Sequence, residues 1–241
     1  MVPRARWVCG DKGWPGPPAL PLFLDPKTRW RRVWPVDGAS AWYNSGMWVV
    51  GRGAVPGRPA MTPTDILKHE HEILMLILDA AKGEVRLIRT SGKVRADRLG
   101  QMIDFFRMFV DRCHHAKEEK HLFRLMRKRD AAKANGPITI LLREHEEGRV
   151  RVKAMTRALA KAVKGDARAA ASLAEDLGAY ILLLGNHTDK EDDVLYPLAD
   201  EILKAADQEA LMKAFEAVER REIGDGVHEK YHQLAHELAK P

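Results

Sequence analysis

Two short segments of the chain repeat the same pairing of histidine with glutamate. The first runs from His114 to Phe123 and the second from His187 to Tyr196, and both read His, two spacers, Lys, Glu, three spacers, Leu, aromatic. Residues four apart lie about one turn apart on the same face of a helix, so each copy directs an imidazole and a carboxylate the same way. Such a pair in a helical core favours a bound metal ion.

Two further histidines share a second context. His71 and His145 each lie between two glutamates, and each follows a leucine by four residues. Four segments therefore supply four imidazoles and two carboxylates, a set that suits two ions, with each carboxylate bridging both. Nitrogen and oxygen ligands without thiolate favour iron or manganese over a structural zinc ion. Six protein ligands leave coordination positions open for a small molecule.

The register of the first repeat has an alternative, because His115 and Glu119 have the same spacing. The repeat favours His114 and Glu118, since its shared Lys, Glu, Leu and aromatic positions align them with the second copy. On a helical wheel His114 also lies nearer than His115 to the apolar stripe of its helix.

Composition changes sharply near residue 60. Residues 1–60 hold all six tryptophans, none of the ten histidines, and enough excess Lys and Arg to account for the whole net charge of +6. They lack helical or strand periodicity, so we expect an irregular or disordered tail, and we favour Met61 as the true start, with a misassigned start codon upstream. The remaining chain has no net charge, which argues against a nucleic-acid partner.

Cysteine content and hydropathy indicate the cellular environment that we expect for the protein. Only Cys9 and Cys113 are present, which excludes a disulfide framework and favours a reducing compartment, so we expect a cytoplasmic protein. No stretch approaches the roughly 18 uninterrupted apolar residues of a transmembrane helix, and no secretory signal is evident, so we expect no membrane partner. The sequence identifies no protein partner and no electron donor.

From Met61 onward, apolar residues recur with helical spacing, which predicts an all-α fold. We expect an up-down-up-down four-helix bundle over residues 61–204 and a helical extension over residues 205–241 that docks outside it. Caps and breakers place the first helix after Thr62-Pro63 and the others at about 94–129, 137–163, 166–195 and 208–238. We expect breaks at Asn135-Gly136-Pro137, near Pro197 and at 224–226.

Three other features have alternative roles. Tyr180 lies two turns before the second-copy histidine and either lines the site as a proton donor or ligand or, as we favour, is an ordinary core tyrosine. There are three interpretations of His228, His232 and His236, which are spaced four residues apart. They are a second metal patch, a cover over the site or, as we favour, one polar face of a docking helix. Cys113 is expected to be a buried apolar residue.

Together these motifs resemble the hemerythrin-like (HHE cation-binding) family over about residues 62–204. The extension, at 218–224 and 228–232, resembles a bacterial subgroup of that family. The resemblance rests on Glu70-His71, His114-xxx-Glu118 with Leu122-Phe123, the segment 144–149, and His187-xxx-Glu191 with Leu195-Tyr196-Pro197. It implies a non-haem centre of two iron ions, joined by an oxo or hydroxo bridge, in a four-helix bundle. The implied ligands are His71, His114, His145 and His187, with Glu118 and Glu191 as bridges.

The oxygen-carrying members of the family have another histidine one turn before the third-helix ligand, where this chain has Leu141. The resemblance therefore implies the four-histidine, two-carboxylate members, which include di-iron proteins of iron–sulfur repair and peroxide handling. We expect an iron protein that interacts with dioxygen, peroxide or nitric oxide, and any enzymatic activity to be a catalase- or peroxidase-like reduction. The alternatives are an iron or oxygen sensor or store that acts through a partner, and a helical interaction module with a vestigial metal site.

Overall fold

The computed structural model describes residues 61–240, and all regular secondary structure within them is helical. The prediction of an all-α fold is thus confirmed, whereas the expected tail over residues 1–60 lies outside the described residues. No helix in the described part is long and apolar enough to span a membrane. The six helices of residues 61–240 are α1 (Pro63–Ser91), α2 (residues 96–129), α3 (Ala131–Ala162), α4 (residues 167–202), α5 (residues 205–223) and α6 (Val227–Ala239).

The predicted cap at the start of α1 and the predicted break before α6 are present. The Thr62 hydroxyl accepts a hydrogen bond from the Asp65 N–H at 3.2 Å, and the Asp65 carboxylate accepts one from the Thr62 N–H at 2.9 Å. This reciprocal pair satisfies backbone donors that the first turn leaves open. Between α5 and α6, Gly224 and Gly226 have φ angles of 101° and 73°, which only glycine adopts easily.

The predicted break at Asn135-Gly136-Pro137 is wrong, because α3 begins at Ala131 and continues through Pro137. The Asp130 side chain caps the helix by accepting from the Lys133 N–H at 3.1 Å. Ala134 and Ile138 are fully buried one turn apart on the same face. Burial of this face offsets the hydrogen bond that proline removes from the helix interior.

The predicted helix end near Pro197 is also wrong, because α4 continues to Ile202. A wider π-helical turn at Glu191–Leu195 precedes the proline, and a new α-helical segment begins at Tyr196. Pro197 therefore lies in the first turn of that segment, where the missing N–H is tolerated.

A layer of buried polar side chains separates two apolar clusters in the helical bundle. One cluster includes Phe106 and Tyr180 and takes in Tyr231 from α6. The other includes Leu67 and Phe123 and takes in Phe215 from α5. The layer between them holds the predicted site residues, so each histidine lies between apolar packing on both sides.

Leu67→Ala is expected to lower the free energy of unfolding by about 2–5 kcal/mol, because Leu67 is fully buried one turn before His71. The matched change Leu182→Ala, at a side chain that is 70% exposed, is expected to alter it by less than about 0.5 kcal/mol. Urea denaturation of metal-free protein measures both values. Equal effects of the two substitutions would contradict the described packing.

Candidate metal centre

The structure brings all six predicted ligand side chains together, and each is at most 3% exposed. Two pairs of imidazoles face each other through their Nε2 atoms. The His71 and His114 Nε2 atoms are 3.0 Å apart, and the His145 and His187 Nε2 atoms are also 3.0 Å apart. The first pair joins α1 to α2 and the second joins α3 to α4.

Each of these imidazoles uses its other nitrogen, Nδ1, to contact a carboxylate. The separations are 2.9 Å for His71 with Asp192, 2.9 Å for His114 with Glu70, 2.7 Å for His145 with Glu119 and 2.9 Å for His187 with Glu144. A carboxylate can only accept, so every Nδ1 carries a hydrogen. In a neutral imidazole the Nε2 lone pair is then free for a metal, the arrangement that metal-ligating histidines use in proteins.

Glu118 and Glu191 lie between the two imidazole pairs. Glu191 Oε2 is 3.3 Å from His71 Nε2, and Glu191 Oε1 is 3.1 Å from His187 Nε2. Glu118 Oε2 is 3.5 Å from His145 Nε2 and 3.8 Å from His114 Nε2. Each carboxylate thus reaches both pairs, as the bridging role requires.

Three oxygens of these two carboxylates make no hydrogen bond to the described residues, namely Glu118 Oε2 and both oxygens of Glu191. Buried carboxylate oxygens are costly without a partner. Burial and repulsion by Glu191 raise the pKa of Glu118 well above its usual range. Burial alone raises the pKa of Glu191 too, but the facing imidazoles, with His187 foremost, hold it well below its usual range.

Protonation of one imidazole in the pair of His71 and His114 compensates part of this buried negative charge. Burial lowers the pKa of His71, but the contacts with Asp192 and Glu191 outweigh burial and raise that pKa to about 9. Burial lowers the pKa of His114 to about 4. Without metal at neutral pH, His71 therefore carries the proton and donates its Nε2–H to His114 Nε2.

The backbone changes its winding where α2 and α4 carry these ligands. α2 contains π-helical segments at Phe106–His115 and Glu118–Leu122, and α4 contains one at Glu191–Leu195. π-Helical turns insert an extra residue per turn and occur often at functional sites. Both copies of the repeat thus share their backbone geometry as well as their residue types.

Several residues at the site were not among the predicted ligands. The Tyr196 hydroxyl donates to Glu118 Oε1 at 2.8 Å and lies 3.3 Å from His71 Nε2. Its place in the repeat, at the shared aromatic position, was the available signal. Tyr180 instead lies in the apolar cluster, with its ring centroid 4.6 Å from that of Phe106, and among the described residues it forms no hydrogen bond or ring contact with the six predicted ligands.

The carboxy-terminal extension contacts the outer side of the site through a buried polar network. Lys117 is fully buried, and its ammonium donates to both Glu70 and Glu219 at 2.5 Å. His228 Nε2 lies 3.0 Å from the same Glu70 carboxylate that accepts from His114. Cys113, which the sequence predicts to be buried, is indeed buried beside this network. Burial raises the pKa of its thiol well above its usual range. α6 thus covers one side of the site.

The donor atoms of the site form two groups that each fit one metal ion. His71, His114 and Glu191 form one group, and Glu118, His145 and His187 form the other, with a nitrogen of His115 at the same range from these three. Within each group one donor atom per residue lies within 4.8 Å of every other. Imidazole nitrogen and carboxylate oxygen without thiolate suit iron or manganese.

A buried layer of four histidines and two glutamates inside a helical bundle is typical of metal-binding bundle proteins. The family described as the hemerythrin HHE cation binding domain matches residues 62–199, and the chain belongs to that family. Among curated proteins, it is 27% identical to uncharacterized proteins of Mycobacterium bovis and Mycobacterium tuberculosis over 167 residues. The match covers 69% of this chain and 64% of those relatives. No solved structure matches the chain.

Asp192→Asn is expected to lower the pKa of His71 from about 9 by more than about one unit, because the carboxylate that opposes the effect of burial loses its charge. Nuclear magnetic resonance titration of histidine in chelator-treated protein measures the change. In wild-type protein the ionised His71 stabilises the fold below about pH 6.5, and this contribution is lost as pH rises through about 9.

Asp189→Asn is the matched control, because Asp189 is exposed on the same helix and the charge change is identical. Its His71 pKa is expected to stay at about 9. A wild-type His71 pKa at or below its ordinary value of 6.5 would contradict the described contacts.

Proposed function

We propose that the protein is a cytoplasmic non-haem di-iron protein that binds small oxygen or nitrogen species such as dioxygen, peroxide or nitric oxide. The observation that carries the proposal is the pair of facing imidazole couples with Glu118 and Glu191 between them. Three of the four oxygens of these carboxylates make no hydrogen bond to the described residues and lie 3.1–3.5 Å from imidazole nitrogens. The low cysteine content of the sequence supports a reducing compartment.

In this proposal His71 and His114 hold one ion, His145 and His187 hold the other, and the two glutamates contact both. Two bound iron ions would supply two redox-active centres for the reduction or binding of a small ligand. The outer carboxylates fix the imidazole tautomers, since each accepts from an Nδ1–H. The apolar clusters on either side limit the contact of the layer with bulk water.

Tyr196 holds the Glu118 carboxylate in place. Its hydroxyl donates to Oε1 and leaves Oε2 directed toward the imidazoles. Because a hydroxyl donor favours the ionised carboxylate, this contact keeps an oxygen available as a ligand and opposes the effect of burial on the pKa of Glu118.

Protein purified from iron-supplemented cells is expected to contain about two iron ions per chain, with near-ultraviolet absorption that bleaches on reduction. His145→Ala and Glu191→Ala are each expected to lower the iron content to about one ion per chain or less, because each removes a donor from a buried group. Elemental analysis and optical spectra measure both quantities.

His121→Ala serves as the control for histidine removal. His121 lies on α2 but belongs to neither donor group, so the iron content is expected to match that of wild type. Unchanged iron content and unchanged stability in both His145→Ala and Glu191→Ala would refute the metal site and leave a helical interaction module as the better account.

A second candidate function is a sensor that transmits the state of the site to a partner. The contact of His228 with Glu70, and of Glu70 with His114, joins α6 to a predicted ligand. A change of charge at the site acts on this network directly. α6 follows α5 after the glycine-containing turn at 224–226, and His228 of α6 also lies 3.9 Å from Glu219 of α5.

If the protein is a sensor, iron binding is expected to change amide hydrogen exchange in α6 by about tenfold or more, since coupling between sites typically amounts to 1–3 kcal/mol. Mass spectrometry of iron-loaded and iron-free protein measures this exchange. Amides of α3 that face away from α6 provide the internal reference. Identical exchange in α6 in the two states would rule out this candidate.

A further inference from the structure

A surface cavity of about 420 Å³ lies between α2 and α3, and His115, which neighbours the predicted ligand His114, is among its lining residues. Phe106 and His115 line it from α2, Gly148 and Val152 from α3, and Tyr180 from α4. Gly148 adds no side chain to the cavity wall, and a Cβ at this position would contact the Tyr180 ring at 3.4 Å. The cavity thus joins solvent to the layer of predicted ligands.

The cavity carries an excess of positive charge. Its four cations are Arg107, Arg149, Lys153 and Arg157, and Asp111 is its one acidic side chain. Arg149 donates to Asp111 at 2.8 Å and also to Glu119. Arg107 donates to Asp104 at 2.7 Å, so the excess comes from the other two cations. Lys153 and Arg157 are exposed and form no ion pair with the described residues. Uncompensated cations at the mouth of a cavity attract anions and raise their association rates.

His115 forms the inner end of this cavity. Its side chain is only 4% exposed, and neither ring nitrogen has a hydrogen-bond partner among the described residues. One of these nitrogens lies within 4.8 Å of donor atoms of Glu118, His145 and His187. The nearest carboxylate oxygen, Asp111 Oδ1, is 3.6 Å from His115 Nδ1, which is beyond hydrogen-bond range. A buried imidazole without a hydrogen bond is costly, and a neutral imidazole always offers one N–H donor.

The orientation of the His115 ring distinguishes it from the predicted ligands. The rings of each facing pair are inclined at 56° or 63° with centroids 4.7 Å apart, so their in-plane lone pairs can converge. His115 instead stacks on His145 at 3.8 Å with an angle of 16°. Lone pairs in two nearly parallel planes do not meet at one ion, so His115 is suited to contact a ligand rather than the metal.

We propose that the cavity admits a small inorganic monoanion and that His115 holds this anion at the inner end through an N–H hydrogen bond, beside His145 and Glu118. The class includes superoxide, hydroperoxide and nitrite. The proposal rests on the proposed function for its purpose, because it specifies the ligand of the same site. The geometry that carries it, however, consists of the cavity, its charges and the His115 ring.

Azide is a suitable probe, because the infrared stretch of this monoanion shifts on binding with or without iron. The full chain is measured as purified and after iron loading, with iron content determined for each sample. The double variant Lys153→Glu/Arg157→Glu is expected to slow azide association by about tenfold or more at low ionic strength, and the difference should shrink at high salt. Iron content is expected to be unchanged.

Arg86→Glu/Lys93→Glu is the matched control, since it makes the same charge change at exposed positions of α1 and of the loop that follows it, away from the cavity. Its azide association is expected to stay within about threefold of wild type. Equal slowing in the two double variants would overturn the assignment of the cavity as the anion entrance.

Substitution of His115 tests the inner end. His115→Leu is expected to weaken azide binding by about tenfold, and His115→Gln, which retains an N–H donor, is expected to restore most of it. Loss of iron in His115→Gln would instead identify His115 as a metal ligand and overturn its assigned role. Equal azide affinity in wild type and both variants would also overturn it.

The experiment separates this proposal from the proposed function. If the protein contains no iron but still shifts the azide band, and His115→Leu loses that shift, the anion site is supported and the di-iron function is refuted. If the protein contains about two iron ions and its azide binding is unchanged by the substitutions at the cavity and at His115, the di-iron function is supported and the anion site is refuted.

Discussion

The hydrogen bond from each imidazole Nδ1–H to a carboxylate is the interaction on which the rest of the site depends. It fixes the tautomer and the direction of each ring, and it thereby turns the Nε2 atoms toward each other across 3.0 Å. Facing lone pairs and carboxylate oxygens that make no hydrogen bond repel one another in a buried layer, so a proton or a metal ion must lie among them. Much of the surrounding structure compensates for this concentration of charge. Examples are the Tyr196 hydroxyl on Glu118 and the apolar clusters that hold the helices in register.

Sequence spacing predicted the helical class and the six side chains that meet in the polar layer, because a four-residue interval has the same meaning on any helix. The helix ends at Pro137 and Pro197 were predicted wrongly, since local propensity carries no information about the packing of Ala134 or about the π-helical turn before Pro197. The sequence offered His115 only as an alternative ligand, and it did not predict the buried ring without a hydrogen bond or the contact of Tyr196 with Glu118. Burial without a partner and the stacking of one ring on another depend on how helices pack, which a single sequence does not record.

The two halves of the site make matching contacts, although their surroundings differ. Glu70 accepts from the second-helix imidazole and from Lys117, and Glu144 accepts from the fourth-helix imidazole and from Lys190. Lys117 is fully buried beneath the extension, whereas Lys190 is 44% exposed. The repeat position of Tyr196 is a phenylalanine in the first copy, so only one of the two central carboxylates gains a hydroxyl donor. Equivalent donor sets thus lie in unequal surroundings, with one closed by α6 and the other adjacent to the cavity.

These matching contacts divide the bundle into two hairpins, each of which carries half of the donors. α1 with α2 supplies two imidazoles and one carboxylate, and α3 with α4 supplies the same set in the same order. Two identical hairpins related by a twofold axis would therefore create the same inner layer, as in a symmetric dimer. In such a dimer of identical chains, every substitution would occur in both halves of the site. When the hairpins are joined in one polypeptide, each half can be substituted separately. One half can then specialise in retaining the ions while the other specialises in exchange with solvent.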